Sequence, residues 1–234
     1  MRAMILAAGL GKRMRPLTDH CPKPLLKAGH DSLIGHTLRR LRKAGITEIV
    51  VNHAWLGEML ESALGTGKSY GVTIQYSREG TPLETAGGIV KALPLLCPEG
   101  KEDNAPFIVV NGDIWADFEF DALIRAAPEM GADEALLVLV NNPQHHPDGD
   151  FHLSPEGRVQ ASGPGPRLTY SGIGLYRPSL FKGVAEHVAP LAPLLRKAMA
   201  QGKVSGIHHT GRWQDIGTPE RLTELDQELG GATV

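Results

Sequence analysis

The chain is 234 residues long, 41% hydrophobic and 21% charged, with a formal net charge of −2. That balance supports a sizeable folded core, excludes a disordered polyelectrolyte, and argues against broad contact with nucleic acid or an anionic membrane. The two cysteines, Cys21 and Cys97, lack metal-binding spacing and are too few for a disulfide framework; with no secretory leader pattern after Met1 and no bilayer-length apolar run, a cytoplasmic protein is expected.

Residues 2–8 read as a buried parallel strand that runs straight into Gly9-Leu10-Gly11-Lys12-Arg13-Met14-Arg15. A helix follows over 33–44, with Leu33, Ile34, Leu38 and Leu41 at helical spacing and Gly45 as its stop. A strand at 48–52, a helix at 56–64 and a half-exposed strand at 72–77 continue the alternation. A third helix over 85–96 precedes the apolar run of 107–111, which suits a central strand. Strand alternating with helix predicts a three-layer α/β fold with a mixed, mostly parallel central sheet and a ligand crevice at the carboxyl ends of its strands.

After about residue 141 the pattern changes. Pro155-Glu156-Gly157 separates two short alternating runs within 151–161, a hairpin signature. A strand at 168–176, a helix at 191–200 and a last helix over 218–229 complete the chain, the last opened by Thr218 as cap and Pro219 at its first position. No linker divides the halves, so 1–234 is expected to form one domain, with a nucleotide-binding part over about 1–115 and a second-substrate part over about 116–234. Neither solenoid repeats nor an appended β-helix is expected, and residues 232–234 should fray.

The loop after the first strand carries the strongest chemical signal. Its glycines let backbone N–H groups approach a polyphosphate, while Lys12, Arg13 and Arg15 neutralise it. Met14 stands where a dinucleotide fingerprint needs its third glycine, and no GxxxxGK[ST] occurs, so both common phosphate motifs fail. Pro22-Lys23-Pro24 fixes one lysine between two restricted residues, pre-setting an ammonium for charge that develops on a phosphoryl oxygen. Asn111-Gly112-Asp113 ends the most apolar strand and offers Asp113 as a ligand for Mg²⁺, with Asp215 of Trp213-Gln214-Asp215 as a second acid. The small residues of Leu83-Glu84-Thr85-Ala86-Gly87-Gly88 suit close approach of a planar base, with Thr85 also able to cap the helix. Asp150 and Tyr170-Ser171-Gly172 are candidate contacts for a second substrate. The His145-His146 and His208-His209 pairs have no metal-motif companions and read as solvated or core histidines.

Taken together, LAAGLGKRMRPLT, PKPLL, LETAGG, NGD and WQDIGTPERL resemble, in order and spacing, the sugar-1-phosphate nucleotidyltransferase family. The short length and the segments NNPQHHPDGDF and YSGIGLYRPSLF are most similar to members that act on N-acetylmuramic acid 1-phosphate in cell-wall recycling. The resemblance implies a Rossmann-like nucleotidyltransferase fold that binds UTP through Ala7, Ala8, Gly9, Leu10, Gly11, Lys12 and Arg13. Lys23 would lie near the α-phosphate and Thr85, Ala86, Gly87 and Gly88 near the base. It further implies Mg²⁺ on Asp113 and Asp215, with Arg13, Lys23 and both acids as the catalytic set. Glu84, Asn111, Asp150, Tyr170, Ser171 and Gly172 would contact the sugar. The implied reaction is in-line attack of a sugar 1-phosphate oxygen on the α-phosphorus of UTP with loss of pyrophosphate; the nucleophile is already an anion, so no general base is needed. Small-molecule substrates rather than nucleic acid or membrane are the expected partners. Transfer of another nucleotide to mannose or glucose 1-phosphate or to phosphocholine, and a non-catalytic nucleotide-sensing module, are the competing readings.

Overall fold

The computed structural model describes residues 1–98 and 104–230; the tail expected to fray lies outside the described residues. The strands are β1 (Arg2–Leu6), β2 (Lys27–Ala28), β3 (Asp31–Ser32), β4 (Glu48–His53), β5 (Thr73–Arg78), β6 (Phe107–Asn111), β7 (Ile114–Ala116), β8 (Ala135–Val140), β9 (Phe151–Leu153), β10 (Val159–Gln160), β11 (Arg167–Tyr176), β12 (Val204–His209) and β13 (Trp213–Asp215). The helices are α1 (Leu33–Lys43), α2 (Gly57–Leu64), α3 (Glu84–Leu96), α4 (Asp121–Ala126), α5 (Leu191–Ala200) and α6 (Pro219–Glu228).

The main sheet runs β12-β8-β11-β6-β1-β4-β5, with the β9–β10 hairpin attached to the start of β11. Parallel pairing joins β1 to β4 and β6, β4 to β5, and β8 to β12, while β11 is antiparallel to both β6 and β8. Of these seven strands β11 alone runs against the others, so the expected mixed, mostly parallel sheet is present. The reversal has a functional consequence: the amino-terminal end of β11 lies at the same sheet edge as the carboxyl ends of β1, β6 and β8.

Period-two alternation sorts the strand side chains into two cores. Ala3, Ile5, Ile49, Val51, Ile108, Val110 and Val138 face Leu38 and Leu41 of α1, Leu60 of α2 and Leu123 of α4. Met4, Val50, Phe107, Val109, Leu137 and Leu139 face Ala86, Ile89 and Ala92 of α3 and Leu191 and Leu195 of α5. Helices therefore cover both faces, giving three layers. A third, smaller core packs Met14, Leu26, Leu33, Trp115, Ile216, Leu222 and Leu225, tying the basic loop to the carboxyl-terminal helix.

Local sequence explains the helix ends. Ser32 caps α1 by accepting from the Gly35 N–H at 3.1 Å, and Arg40, Arg42 and Lys43 sit in its last turn, where the helix dipole favours cations. Thr218 caps α6 in the same way, accepting from Arg221 N, with Pro219 at the first position as expected. The cap expected of Thr85 is absent: Leu83 precedes α3, and its N–H donates to the Glu79 carboxylate at 2.9 Å instead. The region between 112 and 141, given no element by the sequence analysis, contributes the buried strand β8 and the short strand β7.

Candidate active site

Three contiguous cavities of about 560, 420 and 350 Å³ form one trough along the carboxyl edge of the sheet. Asn111, at the end of β6, borders all three, and its amide makes no hydrogen bond to a described residue.

The first cavity is floored by the loop after β1. Ala7, Ala8, Gly9, Leu10, Gly11 and Lys12 line it together with Lys23, Glu84, Thr85 and Asp113. The two glycines do different work. Gly11 has φ +60°, and a Cβ there would lie 2.8 Å from Thr18 Cγ2; the Thr18 hydroxyl and the Met14 N–H both donate to the Gly11 carbonyl at 2.8 Å. Gly11 thus closes the loop on itself, and fully buried Met14 pins it to the third core. Gly9 has open space where a Cβ would stand, leaving its backbone approachable.

Arg13 is exposed on the turn Lys12–Met14 and, unlike its neighbour Lys12, does not border the trough. Ala86, Gly87 and Gly88 do not line it either. The Ala86 and Gly87 N–H groups donate to the Ala189 carbonyl at 2.9 and 3.2 Å. A Cβ on Gly87 would lie 2.1 Å from the His187 carbonyl oxygen, and one on Gly88 2.5 Å from Glu79 Oε1. Their small size admits neighbouring protein groups.

Two buried groups escaped the sequence reading. Asn52 Oδ1 accepts from Ala7 N at 2.9 Å, so that N–H is committed within the protein, and Asn52 Nδ2 donates to Glu79 Oε1 at 2.5 Å. Both residues line the first cavity while being under 10% exposed. A polar residue in the otherwise apolar β4 run was the available signal for Asn52; Glu79 had none. Glu84 stands at the head of α3 with φ +58° and borders both the first and second cavities. A non-glycine residue in that backbone region is a point of local strain beside the trough.

Lys23, Asp113 and Asp215 converge between the first and third cavities. Lys23 sits in a short turn held by Pro22 and Pro24, and its Nζ donates to Asp113 Oδ2 at 2.7 Å. Asp113 occupies the tight turn between β6 and β7, where the Gly112 N–H donates to the Leu6 carbonyl and a Cβ on Gly112 would be 2.6 Å from that oxygen. The antiparallel ribbon of β7 with β13 sets Asp215 opposite Ile114, and the Ile216 N–H donates to the Asp113 carbonyl at 2.8 Å. The two acids, distant in sequence, are thereby held on adjacent strands.

Asp215 has further partners that the sequence did not reveal. Arg221 Nη1 donates to its Oδ2 at 2.5 Å and to its backbone carbonyl at 2.9 Å. His145 Nε2 approaches Oδ1 at 2.7 Å, yet this buried oxygen has no aligned hydrogen bond. The other paired histidines are solvated or half-buried as expected and also have polar partners: His146 lies 3.2 Å from Asp150 Oδ1, His209 2.9 Å from Asp117 Oδ1, and His208 2.9 Å from the Asn141 side-chain oxygen.

The second cavity has an apolar wall of Phe151, Leu191 and Leu195 facing a polar side of Glu84, Asn111 and Asp150. Asp150 and Tyr170 border both it and the third cavity. Asp150 Oδ2 accepts from the Tyr170 N–H at 2.8 Å, fixing the start of β11. The Tyr170 and Tyr176 hydroxyls share one hydrogen bond at 2.7 Å, and burial pushes both phenols well up, so they stay protonated. A register shift interrupts β11 between Tyr170 and Ile173. Ser171 lines the third cavity, but its hydroxyl donates to the Val138 carbonyl at 2.7 Å and its carbonyl accepts from Trp213 Nε1 at 2.9 Å. Gly172, at φ +80°, makes room for Asn111: a Cβ there would lie 2.6 Å from Asn111 Nδ2. Such bulges re-aim side chains beside active sites.

Known proteins share the sequence and the fold of this chain. Residues 2–230 match the nucleotidyl transferase family. The chain is 54% identical to N-acetylmuramate alpha-1-phosphate uridylyltransferase of Neisseria meningitidis serogroup B, with 99% of each chain covered. It is 33% identical to the protein of the same name from Caulobacter vibrioides, covering 98% of this chain and 97% of that one. Among solved structures, a Bacillus anthracis protein in complex with a sucrose shares the fold, with a TM-score of 0.84 at 20% identity over 100% of this chain and 97% of the other.

Proposed function

We propose that this chain, which belongs to the nucleotidyl transferase family, transfers a uridylyl group from UTP to N-acetylmuramic acid 1-phosphate, forming UDP-N-acetylmuramic acid and pyrophosphate. The observation that carries the reading is 54% identity across 99% of both chains to a uridylyltransferase of that substrate, joined to a trough large enough for two substrates. Cytoplasmic cell-wall recycling is the setting these substrates suggest.

In the proposed reaction, an oxygen of the sugar 1-phosphate attacks the α-phosphorus of UTP, the new P–O bond forms, and the α–β bridging oxygen leaves with pyrophosphate. Two anions must be brought together, so neutralisation and alignment supply most of the rate. The loop from Ala8 to Lys12 offers free backbone near the triphosphate, and Lys23, nearly buried and restrained by two prolines, holds one positive charge beside Asp113. Asn111, Glu84 and Asp150 offer hydrogen-bonding groups to the sugar, while Phe151, Leu191 and Leu195 accept its apolar substituents.

Asp113 and Asp215 suit a hard divalent cation, because carboxylate oxygens are its preferred ligands and Asp215 Oδ1 is buried without an aligned donor. Bound there, Mg²⁺ would offset charge on both phosphates. The test is a pyrophosphate-release assay crossing four nucleoside triphosphates with N-acetylmuramic acid, N-acetylglucosamine, glucose and mannose 1-phosphates, with and without Mg²⁺. UTP with N-acetylmuramic acid 1-phosphate should be the best pair by at least tenfold and should need the cation. Preference for another pair overturns the substrate reading, and no release from any pair overturns the enzyme reading.

A further inference from the structure

Among the described residues Arg221 is the one arginine or lysine that touches Asp215, and the family resemblance assigns it no role. It belongs to the first turn of α6, whose register is fixed by the Thr218 cap and by Leu222 and Leu225 in the third core. Its side chain is 20% exposed, against 63% for Arg15 on the basic loop. One nitrogen, Nη1, makes all of its hydrogen bonds to described residues: to Asp215 Oδ2, to the Asp215 carbonyl and, at 3.1 Å, to His145 Nε2. Nε and Nη2 donate to none of the described residues and are not among the buried unpartnered atoms. A guanidinium that spends one corner on a carboxylate keeps a planar edge for two parallel bonds to a phosphate, the geometry at which arginine surpasses lysine.

We propose that Arg221 is a ligand of the sugar phosphate, parked on Asp215 while the site holds no substrate. The inference rests on the nucleotidyl-transfer reading and adds a residue to it. The pairing of charges supports it: each acid of the centre carries one resident cation, Lys23 on Asp113 from the nucleotide side and Arg221 on Asp215 from the sugar side. The Arg221–Asp215 pair is the more withdrawn of the two, at 20% and 26% side-chain exposure, and there an uncompensated carboxylate is costly. When a divalent cation takes over the neutralisation of Asp215, the arginine is relieved of that charge and its free edge is available to the phosphate. His145 and Asp215 both line the third cavity, beside Asp150 and Tyr170. Arg221 does not itself border the cavity and reaches it through its contacts with His145 and Asp215.

The test compares wild type with Arg221→Gln and Arg221→Lys, using two readouts that move in opposite directions. Mn²⁺ binding to nucleotide-free protein, followed by electron paramagnetic resonance, should tighten severalfold in Arg221→Gln, because a competing cation has been removed from Asp215. In steady-state assays the KM for the sugar 1-phosphate should rise about tenfold or more, the loss of a charge-assisted hydrogen bond, while the KM for UTP stays within about twofold. Arg221→Lys should recover part of the sugar-phosphate affinity. Weaker Mn²⁺ binding in Arg221→Gln would mean that the arginine only positions Asp215 and would overturn the proposal, as would an unchanged sugar-phosphate KM. The assay uses whichever nucleotide and sugar phosphate the wild type turns over best, so an error in the substrate reading leaves this test intact.

Discussion

The two ends of the trough are built by different means. The end proposed for the nucleotide rests on strands that are consecutive in a simple alternation, and its loop leaves β1 directly, closed by Gly11, Thr18 and Met14 within a few residues of one another. The end proposed for the sugar is assembled from distant pieces: the start of the reversed strand β11, the β9 hairpin, one face of α5 and the β7–β13 ribbon. A contiguous loop can be read from its own residues, whereas an assembled wall depends on a topology that brings unrelated segments to one edge. The two acids show both cases, with Asp113 on the contiguous side and Asp215 delivered across the ribbon.

This contrast can be broken at several points. The largest effect is expected where the two ends meet: Asp113→Ala and Asp215→Ala should each lower kcat about 10³-fold in the transfer assay, since each removes a charge on which the electrostatics of the centre depend. Near-normal turnover of either variant would detach the ribbon from the chemistry. On the nucleotide side alone, Lys23→Met should cost about 10²-fold in kcat/KM without comparable loss of stability, checked by denaturant unfolding beside kinetics. Substitution of the packing glycine, Gly87→Ala, should instead destabilise the fold by about 1–3 kcal/mol, because its Cβ would collide with the His187 carbonyl. A Gly87→Ala variant with wild-type stability would contradict the packing role. The smallest kinetic effect is expected from Arg13→Ala, about tenfold in kcat/KM, as for an exposed cation beside the cavity wall and not on it.

The sequence made the three-layer order, the basic loop, Lys23 and the position of Asp113 at a strand end legible, because each depends on periodicity or on neighbours within a few residues. Strand β8 went unread although its run Ala-Leu-Leu-Val-Leu-Val is wholly apolar and flanked by Gly131 and Asn141-Asn142-Pro143; a short apolar run without alternation does not separate strand from buried helix. The LETAGG glycines have a packing role that the sequence did not show, admitting the 187–189 backbone and the Glu79 carboxylate. Three basic residues in one loop looked equivalent, whereas a 3₁₀ turn places Lys12 on the cavity and Arg13 outside it. His145 and Arg221 acquire their positions through contacts onto the ribbon, and no local pattern encodes those.

In the proposed reaction one trough holds both substrates, with the acid pair at their junction. A crystal structure of the protein with UDP-N-acetylmuramic acid and Mg²⁺ would show this. The diphosphate should lie against the Ala8–Lys12 loop, the sugar between Asp150 and Leu195, and the cation should touch both Asp113 and Asp215. A sugar outside the second and third cavities, or a cation touching neither acid, would contradict it.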